Sequence, residues 1–214
     1  MTPSWDTFAN ELQNDLFVRI TVSEVGLNDT VYRVSYLTLK HAAPELAKQV
    51  VDLDRYQYAF SGKELKLDYP KSPEVHIALY YIIHKELPSD LLSERDHEEI
   101  AIKCWCFGHQ FKMAHFQNAV MRKVLLYLQS SNLSLDAIAT AFKTLQQGSV
   151  MRRLLAEELV VGIRDRERSY GELKQFEGIG GFLTEFVKAM DEYDDDEIDT
   201  DKRLDDDRVG AYLV

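Results

Sequence analysis

Apolar positions along this chain change their period once. From Leu16 to Val25 they are rich in β-branched residues and partly alternate, which predicts a strand; Gly26–Asp29 reads as a hairpin loop and Val31–Val34 as the returning strand. Ahead of it, Trp5, Phe8, Leu12 and Leu16 recur at spacings of three and four. That is a short amphipathic helix, with Ser4 as N-cap and Thr7 and Asn10 facing water. Beyond the hairpin, Leu37, Leu39, Pro44 and Leu46 suggest short helical turns that continue through Ala47–Val51, and Leu65–Asp68 alternates as a third strand. Pro70 and Pro73 interrupt regular structure, since neither can donate a backbone hydrogen bond. Ser72, Pro73 and Glu74 form the N-cap, first position and first turn of a helix carrying Val75, Leu79 and Ile82 to about His84.

From residue 94 onward the pattern is helical. Candidates run over Glu98–Phe111, Ala114–Gln129, Ser134–Gln147, Ser149–Arg166 and Gly181–Tyr193, with breaks at Lys112–Met113, Ser130–Asn132 and Gly148. Ser134 and Ser149 are good N-caps. Strands and short helices first, then a run of helices, is an α+β order, not the βαβ alternation of a parallel sheet. No internal repeat is visible.

Composition sharpens this picture. With 214 residues, of which 45% are hydrophobic, the chain has room to bury roughly 70% of its unfolded surface without staples. Cys104 and Cys106 are one residue apart, too close for an ordinary disulfide, so they are read as reduced thiols of an intracellular protein of the nucleus or cytoplasm. The N-terminus lacks the basic-then-apolar pattern of a secretory signal, and no apolar run approaches the roughly 18 residues of a membrane span. A soluble chain without a membrane partner is the expectation. The net charge of −11 is concentrated: Asp191–Val214 holds 11 acidic residues against Lys202, Arg203 and Arg208, a charge of −8 that leaves −3 for the rest. Neither part offers a basic surface for phosphates, so direct nucleic-acid binding is not expected.

Three segments, in order, resemble the BTB/POZ family. Tyr32–Leu46 is similar to its F-x-V-H-K-x-x-L-x-x-x-S-P-x-F pattern, fitting at Tyr32, Val34, Leu39, Pro44 and Leu46 and departing at Ser35, Tyr36 and Ala43. Leu65–Val75 followed by Leu79–Pro88 resembles the family's strand, D-x-P turn and next helix. Cys106–Met121 resembles a third block, most closely over Phe116–Met121. The resemblance covers about residues 12–130, with an echo of fungal-type members over Leu133–Val161. It implies a small β-sheet flanked by a helical cluster and followed by further helices, and a non-enzymatic module for protein–protein association and oligomerisation. A chromatin or transcription scaffold subunit, or a substrate adaptor for a cullin ubiquitin ligase, are the roles it suggests. The departures leave family-type dimerisation open.

The expected organisation is a BTB/POZ-like domain over 1–130 including the N-terminal helix, a helical extension over 131–190 and an acidic disordered tail over 191–214. Trp5, Phe8 and Leu12 are the candidate self-association face, because a short terminal helix must dock to persist and a homodimer would supply the dock. Asp194, Asp195 and Asp196, with Tyr212, Leu213 and Val214, are a candidate tail interaction segment, the acids steering a basic protein partner and the apolar end acting as a linear anchor. Phe111, Phe116, Val120, Val124 and Tyr127 form an apolar stripe that reads as ordinary core rather than a groove for a partner helix.

No cofactor, metal or catalytic residue is expected. On one helix Cys104 and Cys106 point roughly 200° apart, so they cannot converge on one ion and read as packed thiols. The six histidines form no H-x-x-x-H pair. Glu177–Phe182 lacks the preceding strand and third glycine of a phosphate loop and reads as a flexible lead into the last helix. There is no G-x-S-x-G elbow. A small enzyme with an unmarked site is the alternative of another class, to be recognised by a concave polar pocket with convergent titratable groups.

Overall fold

The computed structural model describes residues 16–23, 29–52, 62–68, 72–93, 97–194, 205 and 209–214. The chain combines a four-stranded sheet with helices, and it divides into two compact units. One comprises Met1–Leu87 with Phe107–Phe116, the other Pro88–Cys106 with Gln117–Val214. These units do not follow the boundary expected at residue 130. The N-terminal helix expected through Trp5 and Leu12, and residues 26–28 of the hairpin loop, lie outside the described residues.

In the first unit, β1 (Phe17–Ser23) puts Val18, Ile20 and Val22 inward with no exposure while Phe17 and Arg19 face out. This alternation is what a half-buried strand requires. β2 (Thr30–Ser35) pairs with it antiparallel, Val18 opposite Val34, as the hairpin pattern predicts. The next two helices, α1 (Tyr36–Ala42) and α2 (Pro44–Ala47), are separated by their own sequence. Ala43, before a proline, is driven to φ −145° and ψ 72°, and Pro44 restarts the helix at its first turn. Ser35 caps α1, its Oγ accepting from Thr38 N–H at 3.0 Å.

Helix does not continue through Val51 as expected. It stops at Ala47, and the β-branched Val51 with Asp52 forms β3, antiparallel to β4 (Lys63–Asp68). β4 in turn lies parallel to β1, Ile20 opposite Leu65 and Val22 opposite Leu67, giving the order β2-β1-β4-β3. A parallel neighbour needs a crossover of a dozen residues or more, which the stretch from Tyr36 to Gly62 supplies. α3 (Pro73–His84) begins at its proline as expected, though the Ser72 hydroxyl makes no capping bond; it buries Val75, Ala78, Leu79 and Ile82. The turn at Lys112, in the left-handed region at φ 54°, separates α4 (His97–Gln110) from α5 (Ala114–Leu128) where the break was expected. Lys112 pairs with Glu45 at 2.9 Å; Lys48 and Lys112 together hold that carboxyl below its usual range.

In the second unit, α6 (Leu135–Thr144) and α7 (Val150–Arg164) start at Ser134 and Ser149, whose hydroxyls accept from Ala137 and Arg152 N–H. A 3₁₀ helix, η1 (Tyr170–Phe176), opens with a capping box between Ser169 and Glu172 and was not anticipated. α8 (Phe182–Asp194) follows. Phe142, Phe176, Phe182 and Phe186 form one aromatic cluster with ring centroids 4.5–6.0 Å apart. Of the stripe, Phe111 and Phe116 in the first unit and Val120 and Val124 in the second are each buried, as read; Tyr127 is half-buried.

The disordered tail expected from residue 191 is corrected at both ends. α8 runs on to Asp194 because its inner face continues to Tyr193, whose ring lies 5.7 Å from the Arg164 guanidinium. The last residues, Val209–Val214, are seated on the helical unit, with Val209–Tyr212 forming a second 3₁₀ turn, η2.

Candidate interaction surfaces

Exposed apolar side chains occur on both units. On the first unit they occupy the outer side of the sheet, where Phe17 is 70% exposed and Val31, on the neighbouring strand, 45%. Leu16, just before β1, is also exposed. Arg19 lies opposite Arg33 on one side and Glu64 on the other, so the apolar positions sit among charges of both signs. The cause is local: the inward phase of β1 is set by Val18, Ile20 and Val22, and period two then forces Phe17 outward. On the second unit, α8 buries Phe182, Phe186 and Ala189 and turns Leu183 and Val187 to solvent, Leu183 at 69% exposure.

Of the residues expected to associate, Trp5, Phe8 and Leu12 lie outside the described residues, as do Asp195 and Asp196. Asp194 closes α8. Tyr212, Leu213 and Val214 are not a free anchor; Tyr212 and Val214 are held by their own chain. The Tyr212 hydroxyl donates to Glu157 Oε2 at 2.7 Å. Arg153 donates to the Ala211 carbonyl and lies 5.4 Å from the Tyr212 ring centroid. Asn118 takes both backbone groups of Val214, accepting from its N–H at 2.8 Å and donating to its carbonyl at 3.0 Å. Val209 is buried. The acids thus precede a docked segment, for a reason no local pattern carries: Tyr212 and Glu157 are 55 residues apart in sequence.

Two open depressions lie on the second unit. The first, about 460 Å³, is lined by Asn132, Ser134, Glu167, Arg168 and Glu172 among others. Its charges are engaged by the chain itself: Arg168 donates to the Leu133 carbonyl, Glu167 accepts from Asn132 at 2.6 Å, and Glu172 closes the capping box. Burial lowers the Arg168 pKa, against the opposing pull of the Glu158, Glu172, Glu167 and Glu98 carboxylates. The second, about 520 Å³, borders the Glu177–Gly180 stretch. That stretch is not flexible packing but part of a hub. Arg152, 2% exposed at its side chain, donates to Glu185 Oε2 at 2.9 Å, to the Gly180 carbonyl at 2.8 Å and to the Leu145 carbonyl at 3.3 Å. Glu185 also accepts from Gly148 N–H at 2.8 Å. Gly181 stands at φ +76° against Gln147, a position closed to most side chains.

No family model, no curated protein and no solved structure matches this chain. Among the described residues no helix is long and apolar enough to cross a membrane, and no group of three or more metal-ligating side chains occurs. Cys104 is buried, Cys106 half-buried, in keeping with packed thiols.

The Arg152–Glu185 hub and the outward Phe17, Leu183 and Val187 were not singled out in the sequence. For Phe17 the signal was present, since it falls out of phase with Val18, Ile20 and Val22. For the hub it was not: an arginine and a glutamate on separate helices announce nothing until the helices meet.

Proposed function

We propose that this chain is a non-enzymatic protein-association module of the BTB/POZ type, associating through the outer sheet face at the start of β1. The family reading is supported by the order of elements around the resembling segments. Tyr32–Leu46 spans β2, α1 and α2; Leu65–Val75 leads from β4 into α3; Cys106–Met121 spans the turn between α4 and α5. Val34, Leu39 and Leu46, where the first motif fits, are core. Its departures have their own work here: Ser35 caps α1, the Tyr36 ring lies 4.7 Å from Lys63 Nζ, and Ala43 is buried at the helix break.

The observation that carries association is the exposure of Phe17. A large aromatic side chain at 70% exposure on the outer side of the sheet, with the exposed Leu16 next to it in the chain, is the kind of apolar exposure that marks an association surface. In the chain it directly follows the segment carrying Trp5, Phe8 and Leu12, the other face expected to associate. Exchanging Phe17 for aspartate tests the reading without touching the inner face of the strand. Sedimentation velocity and co-purification from the native cell are run in parallel on the wild-type chain and on Phe17→Asp. Self-association, or capture of a stoichiometric partner, that the variant loses is the expected result. A wild-type chain that stays monomeric and brings down the same proteins as the variant would sink the proposal.

A further inference from the structure

We propose that the surface formed by Asn118, Arg153 and Glu157 is a peptide-recognition site, held closed by the chain's own Val209–Val214. The ligand class is an extended or 3₁₀ segment with a tyrosine two residues before a residue offering both backbone groups. The contacts divide by what they read. Arg153 takes the Ala211 carbonyl, which any residue presents, and Asn118 takes the N–H and backbone oxygen of Val214, which any residue other than proline presents. Position 212 is read through its side chain. The hydroxyl donates to Glu157 Oε2 at 2.7 Å and the ring lies beside the Arg153 guanidinium. A phenylalanine would keep the ring contact and lose the hydroxyl.

The receptor side is carried by a long helix. Arg153 and Glu157 stand one turn apart on the 15-residue α7 with Nε and Oε1 3.6 Å apart, and with the tail seated the Glu157 side chain is 5% exposed. The ligand side is not built in advance: a single 3₁₀ turn has little stability of its own and takes its shape from the seat. A folded receptor and a short segment shaped by it are the two halves of linear-motif recognition. Here both are on one chain, joined through residues 195–208, and tethering keeps the segment at a local concentration on the order of millimolar. A free peptide therefore competes poorly until the tail is weakened. This site lies on the helical unit and does not rest on the Phe17 surface, so either proposal can fail alone.

The test uses the full chain and a fluorescein-labelled peptide of residues Asp205–Val214, followed by anisotropy. In one chain the tail is disabled by Tyr212→Ala with Val209→Asp; a milder one carries Tyr212→Phe alone. The tail-disabled chain should bind the peptide at least about ten-fold more tightly than wild type, with Tyr212→Phe between them. Adding Asn118→Ala or Arg153→Ala to the tail-disabled chain should weaken binding about ten-fold. Equal binding by wild-type and tail-disabled chains, or indifference to Asn118 and Arg153, overturns the proposal. So does a folded tail-disabled chain that binds nothing. Should that chain fail to fold, Tyr212→Phe decides alone: affinity no greater than that of wild type means the tail is part of the fold and not a ligand.

Discussion

Removing Glu185 should cost this protein more than neutralising Arg152, although the two form one ion pair. The Arg152 side chain is 2% exposed and Glu185 16% exposed. Glu185→Leu strands a guanidinium that cannot reach water, leaving it only the Leu145 and Gly180 carbonyls. Loss of one partner from a buried pair costs about 3–5 kcal/mol. Arg152→Met keeps most of the volume beside the Phe142 ring and leaves a carboxylate that still accepts from Gly148 N–H and can turn towards solvent. Its cost should be nearer 1–2 kcal/mol, the scale of an unpaired but accessible polar group. The double variant Arg152→Met/Glu185→Leu should recover much of the loss, giving a coupling of about 2 kcal/mol or more. At roughly 2–4 °C per kcal/mol for a chain of this size, Glu185→Leu lowers the melting temperature by about 6–20 °C. Trp105 is buried and belongs to the same unit as the pair, so its fluorescence in a Trp5→Phe background follows unfolding there. Equal costs for the two single variants, adding without coupling in the double, would refute the argument.

Four further outcomes follow from other contacts. Glu98 has no exposure and accepts from the Tyr127 hydroxyl and from Ser134 N–H, both at 2.7 Å; Glu98→Ala should cost about 1–3 kcal/mol in urea unfolding, and Tyr127→Phe less. Gly181→Ala should cost about 1–2 kcal/mol through its positive φ, and adding Gln147→Ala should not restore it, because the exposed Gln147 end can move whereas the backbone cannot. The Glu45 carboxyl, depressed by Lys48 and Lys112, contributes stability above its ordinary value of 4.5 that is lost as pH falls through its lowered pKa; Lys112→Met should flatten that acid limb in a pH series of thermal melts. Native titration with a thiol reagent should label one equivalent quickly, at Cys106, and Cys104 only on unfolding.

Elements were legible where a local rule decides them. Ser134 and Ser149 announce helix starts because a hydroxyl there satisfies a nearby N–H, and the break at Ala43–Pro44 follows from proline sterics alone. β1 was legible because three β-branched residues share one face. Partners were not legible. Leu65 and Leu67 reveal a strand but not that it runs parallel beside β1, since that depends on how the crossover closes. β3 is two residues long, too short for a local pattern to mark; only pairing with Glu64 makes Val51 part of a strand. The acidic run hid the seated end for the same reason, as composition registers charge but not that Asn118 meets Val214 across 96 residues.

The two units also differ in what specifies them. In the sheet unit the inner face is apolar, and Thr21, in phase with Phe17 and Arg19 on the other face, is the unit's one buried polar residue among those described. In the helical unit Glu98, Gln117, Arg152, Glu157 and Glu158 are all buried. Three of these join segments that sequence leaves far apart: Glu98 binds the end of α5 to the start of α6, Arg152 binds α7 to α8, and Glu157 binds α7 to the terminal turn. Apolar stripes on five helices would tolerate several packings, because dispersion and burial are indifferent to which stripe meets which. A buried carboxylate is not indifferent: it is costly anywhere but against its donor. The polar contacts therefore select among packings that hydrophobic burial alone would leave close in energy. The connection to the terminal turn is the one of the three whose partner sits on a single 3₁₀ turn rather than a packed helix, so it is the one a competing peptide can replace without dismantling the fold.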